Sequence, residues 1–262
     1  MIPNVITIAG SDPSGGAGIQ ADLKTFAALG AYGMAAMTAL TAQNTKGVRG
    51  VHMVPPDFLK AQLEAVFEDV RVDAVKIGMA GTAESIAVIA DILERLPPII
   101  VLDPVMIAQS GDRLLGDEAL SALQTRLIPL ATIITPNIPE AQVLAGLPGE
   151  ENPETLARAL AHLGPDVLVK GGHAGGVMAE DVLWHGGGIH RFSVPRIDTN
   201  NNHGTGCTLA AAIAAHMAGG MDVPLSVQAA KTYLTGALEH AGRLAVGQGA
   251  GPVHHGWKTG SA

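Results

Sequence analysis

Val5-Ile6-Thr7-Ile8-Ala9-Gly10-Ser11-Asp12-Pro13-Ser14-Gly15-Gly16-Ala17-Gly18 is an apolar run, then a polar glycine loop, then a helical pattern from Ile19 to Leu29 stopped by Gly30. Strand, loop and helix in that order are the opening of an α/β fold, and the alternation recurs along the chain. Strands are predicted at Ala35–Ala42, Ala74–Ile77, Ile99–Leu102, Thr132–Thr135 and Val167–Val169. Helices are predicted at Asp57–Val70, Ala83–Leu96, Asp117–Leu127, Glu154–Leu163 and Leu209–Ala218. Pro98 before Ile99 and Asp103-Pro104 after Leu102 punctuate the most compact strand. Strands separated by helices imply right-handed crossovers and a mainly parallel sheet. Asp181–Trp184 and Ile189–Val194 flank His185-Gly186-Gly187-Gly188 and read as a small hairpin at a sheet edge. No long linker, low-complexity segment or repeat divides residues 1–262, so one domain is expected. The tail Gly247–Ala262 reads as irregular, mobile at its extreme end.

Composition narrows the function. The chain has 262 residues, 47% of them hydrophobic, a net charge of −8 and 15% charged residues. It has no basic stripe, and aromatic residues make up only 3%, which argues against nucleic-acid binding by charge or by base stacking. A phosphate site in so acidic a chain must be built locally from backbone N–H groups, a lysine and metal. A single cysteine excludes an internal disulfide framework and suits a reducing cytoplasm. Met1-Ile2-Pro3-Asn4-Val5 lacks the basic region of a signal peptide, and no apolar run reaches membrane-spanning length.

In an open parallel sheet, ligands bind beyond the carboxyl ends of the strands. Asp103 follows Ile99–Leu102, Asn137 and Glu140 follow Thr132–Thr135, Lys170 follows Val167–Val169, and Gln43 follows Ala35–Ala42. Each alone also suits a turn, a first helical turn or a strand end; together they share one rim. Asp103 and Glu140 are candidate Mg²⁺ ligands, and Lys170 is a candidate contact for nucleotide phosphates. His203-Gly204-Thr205-Gly206-Cys207-Thr208 opens a helix with two glycines and the sole cysteine. Amides there are suited to hold a transferring phosphoryl group, and the positive end of the helix is expected to lower the Cys207 thiol pKa. The loop from Gly10 lacks the Lys-Ser/Thr of a Walker A motif and reads instead as a wall of the substrate pocket. His173, His254 and His255 have no metal-ligand spacing and read as structural or surface residues.

Several further stretches carry a resemblance: Thr7 to Thr25, Ala42-Gln43-Asn44-Thr45, Lys76-Ile77-Gly78-Met79, Leu102-Asp103-Pro104-Val105-Met106, Thr135-Pro136-Asn137-Ile138-Pro139-Glu140-Ala141, Val169-Lys170-Gly171-Gly172-His173, His203 to Thr208 and Gly251-Pro252-Val253-His254-His255. With these, nearly the whole chain resembles the hydroxymethylpyrimidine/phosphomethylpyrimidine kinases of thiamine biosynthesis, in the ribokinase-like superfamily. The resemblance implies a three-layer α/β/α domain and an ATP- and Mg²⁺-dependent kinase. Such an enzyme phosphorylates 4-amino-5-hydroxymethyl-2-methylpyrimidine and then its monophosphate. It implies that Gln43 reads the pyrimidine edge, that Met79, Val105, Gly10 and Asp22 line the substrate pocket, and that Cys207 is the general base beside Gly204 and Gly206. It further implies that Asn137, Lys170, Thr205 and Gly206 meet nucleotide phosphates, with Asp103 and Glu140 on the metal, and that the enzyme is a homodimer. Asn202 departs from the threonine common before His203 in this family. A pyridoxal kinase of the cysteine-containing type, and a non-catalytic pyrimidine sensor, remain the alternatives.

Overall fold

The computed structural model describes residues 1–96, 99–106, 115–172 and 176–258. Pro98, His173 and the last four residues of the tail lie outside these. Nine strands form one sheet: β1 (Asn4–Gly10), β2 (Tyr32–Asn44), β3 (Gly47–Met53), β4 (Ala74–Ile77), β5 (Ile99–Leu102), β6 (Ile133–Ile134), β7 (Asp166–Lys170), β8 (Met178–His185) and β9 (Gly188–Pro195). Their order is β3-β2-β1-β4-β5-β6-β7-β8-β9. From β2 to β7 neighbours run parallel; β2–β3, β7–β8 and β8–β9 are antiparallel. The mainly parallel sheet and the edge hairpin are therefore as the sequence predicts.

The helices are α1 (Gly18–Ala28), α2 (Pro56–Phe67), α3 (Ala83–Leu93), α4 (Asp117–Ala122, continued by a π-helical turn at Leu123–Leu127), α5 (Ile138–Ala145), α6 (Pro153–Leu160), α7 (Thr205–Ala218) and α8 (Val223–Glu239). Strand side chains alternate between faces. Ile6, Ile8, Val75, Ile77, Ile100, Leu102 and Val167 pack with α2 to α6. Val5, Ala74, Val101, Ile133 and Leu168 pack on the other face, in a cluster shared with Phe26 of α1, Ile213 of α7 and Val227 of α8. Both faces of the central strands are covered, which is why they read as continuous apolar runs. Among the described residues no helix is long and apolar enough to cross a membrane.

Differences from the sequence reading lie mostly at edges. β2 is longer than Ala35–Ala42 and turns through Thr45-Lys46 into β3, a mostly exposed strand with little apolar signal. α2 stops at Phe67 rather than Val70, and α7 begins at Thr205, four residues before the first expected position. The described tail after Gly247 contains neither helix nor strand, yet Val253 and His255 are buried.

The register aligns the strand ends. Ile8, Ile77, Leu102, Ile134 and Val167 form one row across β1, β4, β5, β6 and β7. Asp103 and Thr135 lie one residue beyond that row, and Lys170, the last residue of β7, lies three beyond it.

Candidate active site

A cavity of about 1140 Å³ opens along this rim. Near β1, β2 and β4 it is lined by Gly10, Gln43, Lys76 and Met79, and past the end of β5 by Asp103 and Val105. Asn137, Glu140 and Lys170 follow, then Gly204 to Cys207, then Asp181, Leu209, Lys231 and Leu238 toward β8 and α8. All but one of the residues the sequence singles out therefore border one space. The exception is Asp22. It is fully buried and does not border the cavity; it pairs with Lys76 beneath it.

The start of α7 is shaped by its glycines. Gly204, its N-cap, has φ +81°, and a Cβ there would lie 1.8 Å from the carbonyl oxygen of Gly16. Gly206 sits in the first turn, where N–H groups have no intrahelical acceptor. A Cβ on Gly206 would lie 3.4 Å from Lys170 Nζ and 3.5 Å from Asp103 Oδ2. Amides, ammonium and carboxylate thus meet at one point, set by a helix start on one side and two strand ends on the other.

Lys170 donates to Asp103 Oδ1 at 2.6 Å, and Thr135 Oγ1 donates to the same oxygen at 3.1 Å. Burial works against the Lys170 charge, but Asp103, Glu140 and Cys207 outweigh it and hold its pKa above the ordinary value. Glu140 and Asn137 form a capping box on α5. Asn137 Oδ1 accepts from Glu140 N at 2.9 Å, and Glu140 Oε2 accepts from Asn137 N at 2.8 Å. The Asn137 side chain is thus engaged in the cap. Burial, with Asp103 nearby, pushes the Glu140 pKa up to about 7 despite Lys170 and the backbone donors.

Cys207 departs from expectation. Burial raises its thiol pKa above the ordinary value, and the negative charges of Asp22 and Asp103 add to that. The Lys76 ammonium and the Gly18 amide pull the other way without reversing it. The helix start does not create a low-pKa thiol here. Lys76 borders the cavity as well, and the sequence reading gave it no role. It is fully buried, its ammonium 2.8 Å from Asp22 Oδ2, which also accepts from Thr7 Oγ1 at 2.6 Å. A lysine within the buried run Ala74-Val75-Lys76-Ile77 is the signal that marks it.

Asp12 and His203 form a second overlooked pair. Asp12 Oδ1 accepts from Ser14 N and Oγ, and Oδ2 accepts from the amides of Gly16 and Ala17 and stands 2.9 Å from His203 Nε2. Burial raises the Asp12 pKa, but these hydrogen bonds outweigh it and hold the carboxyl well below the usual range. Buried His255 meets Thr208 Oγ1 at 3.0 Å. No cluster of three or more metal-ligating side chains occurs among the described residues.

The sequence profile of the phosphomethylpyrimidine kinase family matches residues 12–254. A hydroxymethylpyrimidine/phosphomethylpyrimidine kinase of Rhizobium meliloti is 51% identical over 257 residues, covering 95% of this chain and 96% of that protein. The crystal structure of a phosphomethylpyrimidine kinase from Clostridium difficile superposes with a TM-score of 0.79 at 45% identity, over 90% of this chain and 99% of that one. An ADP complex of Bacillus subtilis pyridoxal kinase superposes with a TM-score of 0.90 at 36% identity, over 97% of this chain and 98% of that one.

Proposed function

The chain belongs to the phosphomethylpyrimidine kinase family, and from that premise we propose how its residues perform the family's reaction. The activity is ATP-dependent phosphorylation of 4-amino-5-hydroxymethyl-2-methylpyrimidine, then of its monophosphate, in thiamine biosynthesis. One observation carries the assignment of roles: Gly206, Lys170 and Asp103 converge within van der Waals reach of a single point.

Gln43 reads the pyrimidine edge, because its amide offers donor and acceptor together. Met79, Val105 and Gly10 form the walls around the ring. The hydroxymethyl oxygen attacks the γ-phosphorus, the bond to the bridging oxygen breaks, and ADP leaves. Cys207 takes the hydroxyl proton at Sγ. Its raised pKa makes it a strong base once ionised, and Lys76 and the Gly18 amide stabilise that thiolate. Phosphoryl transfer depends chiefly on positioning and charge neutralisation. Lys170 meets the phosphate oxygens as a point charge, and the first-turn amides of α7 at Thr205, Gly206 and Cys207 hold the transferring group. Asn137 fixes Glu140 through the capping box and stands beside the phosphates.

Asp103 and Glu140 fit Mg²⁺. Both are carboxylate oxygen donors bordering the cavity, the donor class Mg²⁺ takes. When bound, Mg²⁺ neutralises phosphate charge as transfer proceeds. The test is an ATP-consumption assay with the hydroxymethylpyrimidine, resolving monophosphate from diphosphate. Sequential appearance of both is expected. Pyrimidine binding without ATP consumption would leave the chain a sensor.

A second reading is pyridoxal phosphorylation, favoured by the TM-score of 0.90 to the Bacillus pyridoxal kinase. Parallel turnover of pyridoxal measures it. We also read the protein as a cytoplasmic homodimer of one-domain chains that binds neither nucleic acid nor membrane. One continuous sheet supports the single domain, the acidic charge supports the absence of nucleic acid, and exposed Tyr32, Leu40, Val51 and Phe58 support the dimer.

A further inference from the structure

We propose that His203, held by Asp12, is a positioning residue that locks the Gln43 amide in one orientation and so sets how the substrate edge is read. The proposal rests on the reading of Gln43 as the substrate-contacting amide. The terminal atoms of that amide have two neighbours: Nε2 faces His203 Nε2 at 3.4 Å, and Oε1 faces Thr41 Oγ1 at 3.3 Å.

The protons around Gln43 decide its orientation. The Asp12 carboxylate accepts from Ser14, Gly16 and Ala17, and a carboxylate is acceptor-only. The nitrogen of His203 that stands 2.9 Å from Asp12 Oδ2 must therefore carry a proton. With that proton in place the nitrogen has no lone pair for an amide N–H of Gln43; toward Gln43, at 3.4 Å, it can only share the proton that Asp12 holds at 2.9 Å, and only with an acceptor. Thr41 repeats the argument with the opposite sign. Its hydroxyl proton is committed to the Ser11 carbonyl at 2.8 Å, so it offers Gln43 a lone pair, which an amide oxygen cannot use. A half-turn of the amide exchanges two nearly isosteric atoms and satisfies both neighbours: oxygen toward His203, nitrogen toward Thr41.

One N–H and one lone pair of Gln43 then remain for the cavity, on fixed sides. An aminopyrimidine edge, with an exocyclic N–H beside a ring nitrogen acceptor, pairs with that arrangement. A freely turning amide would have to be ordered on binding, at a cost in affinity. Asp12 and His203 lie 191 residues apart in sequence, so the same contact ties the substrate loop to the α7 cradle.

A double-mutant cycle tests this, with the dissociation constant for the hydroxymethylpyrimidine measured by calorimetry. His203→Phe keeps a ring against Gly16, where a Cβ would meet the His203 Cδ2 at 2.3 Å, and removes Nε2. It should weaken pyrimidine binding about tenfold, as loss of one satisfied polar contact does. His203→Gln, which can restore an N–H, should recover part of the loss. In a Gln43→Ala background, His203→Phe should cost nothing more. Thr41→Val should behave the same way and decides the matter if His203→Phe does not fold. Gln43→Ala that weakens binding, followed by an undiminished further loss from His203→Phe or Thr41→Val, overturns the positioning role alone. Gln43→Ala with unaltered binding overturns the reading of Gln43 and the positioning role with it.

Discussion

Lys170 Nζ lies 2.6 Å from Asp103 Oδ1, joining the ends of β7 and β5 across the intervening β6. Asp103 is 2% exposed, so removing the ammonium strands a buried carboxylate beside Glu140. In the proposed mechanism the same ammonium meets the phosphate oxygens. Lys170→Met should lower kcat by about 10²–10³, the range for loss of one electrostatic donor. Steady-state kinetics with saturating pyrimidine measure it. A variant within threefold of wild type would remove Lys170 from phosphate contact.

Cys207→Ala separates the two phosphorylations. The first starts from a neutral hydroxyl and needs a base; the second starts from a phosphate oxygen already largely ionised. Loss of a general base costs about 10²–10⁴, and that loss should fall on the first step. The raised thiol pKa fixes the pH dependence: the first step should accelerate as pH climbs above neutrality toward the thiol value, because more thiolate is present. The second step should not share that rise. Quench-flow resolution of mono- and diphosphate across pH reads both, and equal losses in the two steps would exclude the general-base role.

Glu140 links stability to pH. Its folded-state pKa of about 7 exceeds the ordinary 4.5, so the folded protein holds this proton more tightly than the unfolded chain. The stabilisation is complete below the ordinary value and is lost as pH rises from 4.5 to 7. Glu140→Gln keeps a capping side chain and cannot titrate. Its unfolding free energy in urea should therefore fall less than that of wild type across this window. Mg²⁺ alone at neutral pH should raise the wild-type melting temperature more than that of Glu140→Gln. Parallel stability curves would contradict the buried-proton account; equal metal responses would contradict the metal role.

The legible parts of this protein were those with local signatures. Ile99–Leu102 followed by Asp103, and Val167–Val169 followed by Lys170, each place a charge at the end of an apolar strand, and the parallel register brings those ends together. The glycines of the α7 start needed no tertiary information. The parts that escaped depend on partners far apart in the chain. Lys76 reads as one lysine in a short strand until Asp22 is found beneath it, and His203 reads as a helix preface until Asp12 meets its ring. The thiol departs from expectation for the same reason: the helix start is visible in sequence, but burial and the nearby carboxylates are not. β3 lacked a buried face from which to read a period.

The two glycines at the start of α7 should respond differently to the same added methyl group. At Gly204 the backbone is left-handed, with φ +81°, and a Cβ would fall 1.8 Å from the Gly16 carbonyl oxygen. Neither strain nor clash can be relieved without parting the substrate loop from the cradle. Gly204→Ala should therefore lose more than ~1 kcal/mol of stability, the low end for a strained backbone position, and activity with it. Gly206 lies within the helix, and the nearest atoms to its Cβ would be Lys170 Nζ at 3.4 Å and Asp103 Oδ2 at 3.5 Å, ordinary contact distances. Replacing glycine by alanine in a helix gains up to ~1 kcal/mol, so Gly206→Ala should melt at or above the wild-type temperature. Its methyl group nevertheless occupies the space assigned to the transferring phosphoryl group, and kcat should fall by at least tenfold. Thermal melts and turnover on the two variants test the pair together. A stable, fully active Gly206→Ala would mean that the phosphoryl group passes elsewhere.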